Sequence, residues 1–96
     1  SDTSPADVFV ADLADRQARR LTTALNPAID ESHLFEASIV RYTAEGGVQI
    51  PSVLYRPKGA SAANPVPAIV LVHGGPGGQT RRGYSAMVQH LVNHGY

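Results

Sequence analysis

Several residue types are scarce in this chain or missing from it. It contains no cysteine and no tryptophan in 96 residues, so disulfides and thiolate metal sites are excluded. No apolar run approaches the ~20 residues of a membrane-spanning helix, and we expect no membrane partner. Basic and acidic residues balance, eight against eight, so no net charge favours nucleic acid as a partner. The cellular compartment stays open, because cytosolic and exported proteins can both lack cysteine.

Acidic residues are also missing from the second half of the chain. All eight carboxylates lie at or before Glu45, and the formal charges from Gly46 onward are all positive: Arg56, Lys58, Arg81 and Arg82. A paired-carboxylate mechanism or a hard-cation site in this half would need acids from elsewhere. We therefore expect no metal and no cofactor.

Strand patterns occupy the first part of the chain. Residues 7–13 and 17–22 predict two short strands around a turn, and a polar linker follows near 26–33. Residues 35–43 and 48–56 predict a second strand pair, joined across a turn that contains two glycines. Pro51 cannot donate to a ladder, so the last of these strands should lie at an edge or contain a bulge.

An apolar run and a helical stripe frame the most informative segment. Ala68–Val72 is apolar at every position and rich in β-branched residues, which predicts a strand buried on both faces in a parallel sheet. A helix is predicted to begin near Tyr84 and to end at Gly95. Its apolar stripe follows the helical period: Tyr84, Met87, Val88, Leu91 and Val92.

Between the run and the stripe lies His73-Gly74-Gly75-Pro76-Gly77-Gly78-Gln79, which we call the glycine loop. Glycines after a buried strand let backbone N–H groups approach a ligand closely, because no Cβ intervenes. Oxyanion-hole loops of α/β-hydrolases have this character. No Gly-x-Ser-x-Gly nucleophile motif occurs in the sequence, so we expect this chain alone to be inactive.

The His-Gly-Gly-Pro sequence in this context resembles the prolyl oligopeptidase family of serine peptidases, nearest to its acylaminoacyl-peptidase and dipeptidyl-peptidase branches. The resemblance implies an α/β fold class, namely the N-terminal part of an α/β-hydrolase: β-hairpin, buried strand, glycine loop and helix. A β-propeller precedes the hydrolase domain in this family. Residues 1–33 would therefore be the end of a propeller blade with a linker, and residues 34–96 the incomplete start of the peptidase domain.

The resemblance also implies roles for the loop residues and a peptide as the substrate. The backbone N–H of Gly75 would be the oxyanion-hole donor, while Gly74 would allow the turn and Pro76 would stiffen it. His73 would support the loop through ring hydrogen bonds, since the catalytic histidine of this fold follows the nucleophile in chain order. The serine, aspartate and histidine of the triad would lie after residue 96.

The remaining polar candidates have plainer interpretations. Ser85 is predicted to be a polar residue at the start of the helix, because the sequence around it fails the nucleophile pattern at Met87. His90 and His94 are predicted to be surface or capping residues near the helix end. His33 belongs to the linker, and no zinc site is expected.

The resemblance implies an incomplete sheet and leaves other functions open. In α/β-hydrolases the fourth strand lies between the second and the third, so the hairpin and the strand at 68–72 would not be neighbours. We expect the remainder of the domain or a second chain to complete the sheet. A carboxylesterase or lipase of the same fold is one alternative, which Pro76 and the propeller-like beginning disfavour. A non-catalytic interaction module that uses the glycine turn for shape is the other.

Overall fold

Two separate antiparallel hairpins and one short helix make up the regular structure. A computed structural model describes residues 1–96. The elements follow in the order β1 (Phe9–Ala11), β2 (Ala18–Arg20), β3 (Ser38–Thr43), β4 (Gln49–Leu54) and α1 (Ala86–Asn93), with short 3-10 turns at Glu31–His33 and Glu45–Gly47. Strand β1 pairs only with β2, and β3 only with β4.

The first hairpin is confirmed, with strands shorter than the predicted ones. In its register Phe9 lies opposite Arg20. Asp7 fixes the open end, because its Oδ1 accepts hydrogen bonds from the Thr22 hydroxyl and the Ala24 N–H, each at 2.8 Å. The Arg20 guanidinium donates to the other carboxylate oxygen of Asp7.

The second hairpin is confirmed as well. Its ladder runs from Ser38 opposite Leu54 to Thr43 opposite Gln49. The connecting turn uses two glycines with left-handed φ values of 77° and 81°, a region that most other residues avoid. Pro51 lies within β4, where both strands of a two-stranded sheet are edges, so the missing N–H breaks no second ladder.

The predicted helix is present, and its less exposed side includes the predicted apolar stripe except for Met87. Ser85 caps α1 by accepting from the Val88 N–H at 3.3 Å, and Gly95 takes a φ of 87° just beyond the end. Both agree with the prediction. Gln89 and Val92 are buried, whereas Met87 is 58% exposed. The apolar stripe is therefore wrong for Met87, because the helix packs through the face that carries Gln89.

The strand predicted at Ala68–Val72 is not formed by this chain on its own. The segment has no strand assignment, and Val70 and Val72 are 81% and 86% exposed. From Pro65 to Tyr84 the main chain makes no main-chain hydrogen bond. A strand of a parallel sheet needs neighbours to pair with, and no strand pairs with this segment. The α/β-hydrolase architecture stays a prediction.

The small core lies where the amino terminus, the linker and α1 meet. Five residues are buried: Leu25, Ala37, Val92, Asp2 and Gln89. Contacts cross the predicted boundary between residues 33 and 34, as when the Asn93 side chain donates to the His33 carbonyl at 3.1 Å. The division into residues 1–33 and 34–96 stays a prediction. No helix in the structure has the length and apolar character that crossing a membrane requires.

Candidate functional site

The glycine loop is an exposed turn without regular secondary structure. Its bend lies at residues 75–77, and every residue from 73 to 79 is exposed. The N–H of Gly75 takes part in no hydrogen bond within the chain, so this donor is not consumed by a ladder. A Cβ placed on Gly74 or on Gly75 would meet no atom within 4 Å.

His73 makes one hydrogen bond, and it stays within the loop. Its Nδ1 lies 2.9 Å from the Gly74 carbonyl oxygen. Because a carbonyl only accepts, Nδ1 carries the proton and Nε2 is left as the acceptor in the neutral ring. This contact is of the kind expected for a supporting residue, and the supporting role itself stays a prediction.

Gly78 has a steric role that the sequence analysis did not assign. A Cβ at this position would collide with the Gly74 carbonyl oxygen and would lie 3.2 Å from His73 Nδ1. The loop therefore folds back on itself at Gly78, where glycine permits a close approach of backbone to backbone. The only sequence signal is the second glycine pair, which does not show which of its members is needed.

Two adjacent residues a few positions after the glycine loop hold the chain there to the rest of the molecule. The Arg82 guanidinium donates to Asp2 Oδ2 from Nη2 at 2.7 Å and from Nε at 3.1 Å. The Tyr55 hydroxyl donates to the Gly83 carbonyl at 2.8 Å. We call Asp2, Tyr55, Arg82 and Gly83 the exit clamp. It joins the amino terminus and the residue after β4 to the chain just before α1.

Asp2 is the electrostatic centre of the exit clamp. The Ala37 N–H donates to the same carboxylate oxygen at 2.7 Å. This N–H and then the Arg82 guanidinium lower the pKa of Asp2 to about 2, against the opposing effect of burial. In return, the Asp2 carboxylate raises the pKa of Arg82. Burial, and next the negative charge of Asp2, raise the pKa of Tyr55, so its hydroxyl stays protonated as the donor to Gly83.

Gln89 ties the helix to the amino terminus and to the start of the second hairpin. Its Nε2 donates to the Asp2 carbonyl at 3.0 Å and to the Phe35 carbonyl at 2.8 Å, while its Oε1 accepts from the Phe35 N–H at 2.9 Å. A buried amide that satisfies these groups is expensive to replace, because each partner would be left without a hydrogen bond. Sequence patterns mark Gln89 only as a polar helix residue.

An open cleft of about 310 Å³ lies between β4, the apolar segment Ala68–Val72 and α1. Most of its lining is apolar, with Leu54, Ile69, Leu71, Val88 and Leu91 among the lining residues. Arg81 and Ser85 reach its rim, but none of the predicted site residues His73, Gly74, Gly75 and Pro76 does. The cleft and the candidate oxyanion donor are therefore separate features.

The other histidines lie apart from the glycine loop. His94 Nδ1 lies 2.8 Å from the His90 carbonyl, and the two rings are 4.1 Å apart at the end of α1. This agrees with their predicted place near the helix end. No group of three or more His, Cys, Asp or Glu side chains comes together in a way that could hold a metal ion.

The chain resembles a peptidase in sequence. It is similar to dipeptidyl aminopeptidase BIII of Pseudoxanthomonas mexicana, with 33% identity over 90 residues, 85% of this chain and 13% of that protein. The chain thus spans only a small part of its relative's length. No protein-family profile and no solved structure matches the chain.

Proposed function

We propose that this chain is part of a serine peptidase of the prolyl oligopeptidase type and supplies its oxyanion-hole loop. The observation that carries the proposal is the similarity to a dipeptidyl aminopeptidase over 85% of the chain. Because that relative is a peptidase, the similarity favours a peptidase over an esterase or a non-catalytic module. The serine, histidine and aspartate of the triad would come from the part of the protein outside this chain.

The chemical task of the loop would be to stabilise charge. In acyl transfer the substrate carbonyl oxygen becomes negative at the tetrahedral stage, and fixed N–H donors lower the barrier. The Gly75 N–H is available as such a donor, because no main-chain carbonyl of the chain accepts a hydrogen bond from it. A second donor would be the N–H that follows the nucleophile. Removing one oxyanion-hole donor typically costs ~2.7–4 kcal/mol.

The peptidase domain would also cover the exposed apolar segment. Ala68–Val72 is apolar and unpaired here, as a central strand would be without its neighbours. We propose that strands from the rest of the domain, or from a second chain, pair with it and place the glycine loop at the strand's carboxyl end. Ligands of open α/β sheets bind at that end of the strands.

The proposed substrates are peptides, and the relative's name suggests release of dipeptides. The full-length protein would be tested with a dipeptidyl arylamide, the same compound blocked at its amino group, and a short ester. Faster turnover of the free dipeptidyl compound would support a dipeptidyl aminopeptidase. Turnover of the ester alone would support an esterase, and no reaction of the protein with a fluorophosphonate would exclude a serine hydrolase.

Gly75 is tested by a change that removes its N–H. In the full-length protein we expect Gly75→Pro to lower kcat on a peptide substrate by ~10²–10³-fold, while fluorophosphonate labelling of the serine stays measurable. Gly75→Ala is the matched control, because it keeps the N–H and adds a Cβ with no neighbour within 4 Å in the chain.

A second control separates donor loss from loop stiffening. Gly77→Pro also adds a ring to the loop but removes an N–H that has no assigned role. We expect it to retain much more activity than Gly75→Pro. Equal losses in the two proline variants, or unchanged turnover in Gly75→Pro, would remove the N–H of Gly75 from the proposed role.

A further inference from the structure

The exit clamp provides the hydrogen bonds that attach residues 65–84 to the rest of the chain, and it does so near the end of that segment. The hydrogen bonds that link residues 65–84 to the rest of the chain are those of Arg82 with Asp2 and of Gly83 with Tyr55. At the other end, residues 65–72 make no main-chain hydrogen bond. The course of the glycine loop therefore depends on where its exit is held.

The Asp2 side chain is buried and held by other groups, whereas the Arg82 side chain is partly exposed. The Asp2 side chain is only 7% exposed and that of Arg82 is 47% exposed. Asp2 is held independently of Arg82, since its carboxylate accepts from the Ala37 N–H and its carbonyl accepts from the buried Gln89 amide. A preorganised acceptor orients a guanidinium through two donors at once.

Asp2, the acid of this ion pair, comes from the first half of the chain. The half of the chain that contains the glycine loop has no acidic residue, so an ion pair at the loop exit needs a partner from the first half. The partner lies 80 positions away in sequence, in the stretch predicted to be the end of a propeller blade. The pair thus connects the two predicted domains at the edge of the candidate site.

We propose that Asp2 and Arg82 are a positioning pair that sets the placement of the Gly75 N–H, an inference that rests on the proposed function. Neither residue touches the substrate in this account. Their pairing fixes the exit of the loop, and the loop carries the donor to the place where the negative oxygen forms. A misplacement of about 1 Å in such a donor can cost ~10²-fold in rate.

The test compares two arginines in the full-length protein. We expect Arg82→Met to lower kcat per active site by about tenfold to hundredfold, with little change in KM, because ground-state binding of the peptide does not use the oxyanion donor. Arg41→Met is the matched control, with the same side-chain change at an exposed arginine of β3, and should leave kcat unchanged. Active sites are counted by fluorophosphonate titration, so a lower yield of folded protein does not mimic the effect.

Double variants show whether Arg82 acts through Gly75. If it does, Arg82→Met should lower kcat no further in a Gly75→Pro background, and Asp2→Asn should add little to Arg82→Met. Arg82→Lys should recover part of the loss, because it keeps the charge but not the two-donor geometry. It also supplies a measurable variant if Arg82→Met does not fold.

The outcomes separate this inference from the function on which it rests. A wild-type protein that reacts with no fluorophosphonate and cleaves no peptide would overturn both. An active wild type in which Arg82→Met keeps its full kcat would overturn only the positioning pair. The same holds if the losses from Arg82→Met and Gly75→Pro are additive, since Arg82 would then act on the reaction by another route.

Discussion

Asp2 brings together three hydrogen bonds on one buried carboxylate oxygen, from the Ala37 N–H and from two nitrogens of Arg82. These donors favour the charged carboxylate and lower its pKa from 3.8 to about 2. Because the pKa is lower in the folded chain than in the unfolded one, ionised Asp2 stabilises the fold above pH 3.8. This contribution is lost as the pH falls through about 2.

We expect the carboxyl of Asp2 to titrate near pH 2 and that of the Arg82→Met variant to titrate closer to 3.8. The shift in the variant should be partial, since the Ala37 N–H remains as a donor. Carbon-13 NMR of protein labelled in aspartate measures both midpoints, with Arg81→Met as the control that should match the wild type. A wild-type midpoint at 3.8 would show that the clamp is not formed in solution.

Asp2 and Gln89 also show which residues sequence reasoning misses. Asp2 lies 35 positions from Ala37 and 80 from Arg82, so no local spacing connects them. Arg81 and Arg82 look alike in the sequence, and only the structure shows that the second one forms an ion pair with Asp2. By contrast, Ser85 was assigned correctly, because a helix cap depends on residues within one turn.

Hairpins and the helix were predictable because their hydrogen bonds are local. Each strand pair closes over a short turn, and α1 satisfies its own backbone apart from its ends. The segment Ala68–Val72 differs, since its residues favour a strand but its hydrogen-bond partners would come from distant sequence. Because no strand pairs with it, this strongly β-prone run has no regular structure and is exposed. The sequence shows that these residues favour a strand, while the structure shows that no strand forms there.

The exposed run is therefore the element that should drive self-association. Short uncharged segments with high β propensity and open edges pair readily with other chains. We expect Val70→Lys, at a position that is 81% exposed, to weaken association of the 96-residue chain at least about tenfold, or ~1.4 kcal/mol. Sedimentation velocity across a concentration series measures the change.

Val48→Lys is the matched control for this substitution. Val48 is also exposed, at 57%, but it precedes the paired strand β4, and its carbonyl accepts a hydrogen bond from the Ala44 N–H in the hairpin turn. A lysine there should leave association nearly unchanged. If both variants dissociate to the same degree, added charge alone explains the effect and the run at 68–72 is not the contact.

The whole chain is expanded for its length. Its radius of gyration is 17.1 Å, whereas ~12.5 Å is typical of a folded chain of this length. The accessible surface is 7658 Å², against about 5,300 Å² expected for a folded monomer of this mass. Only five of 96 residues are buried. Hydrophobic burial on this scale does little to offset the conformational entropy of ordering so many residues.

We therefore expect the isolated 96-residue chain to unfold without a cooperative two-state transition. Heating followed by circular dichroism should give a broad, shallow change, and calorimetry should show no peak whose enthalpy equals the van't Hoff value. The full-length protein provides the comparison, because covering Ala68–Val72 would add the buried apolar area that the chain lacks. A sharp and reversible transition of monomeric 96-residue chain would contradict this expectation and would mean that the exposed segment finds its partners within the chain itself.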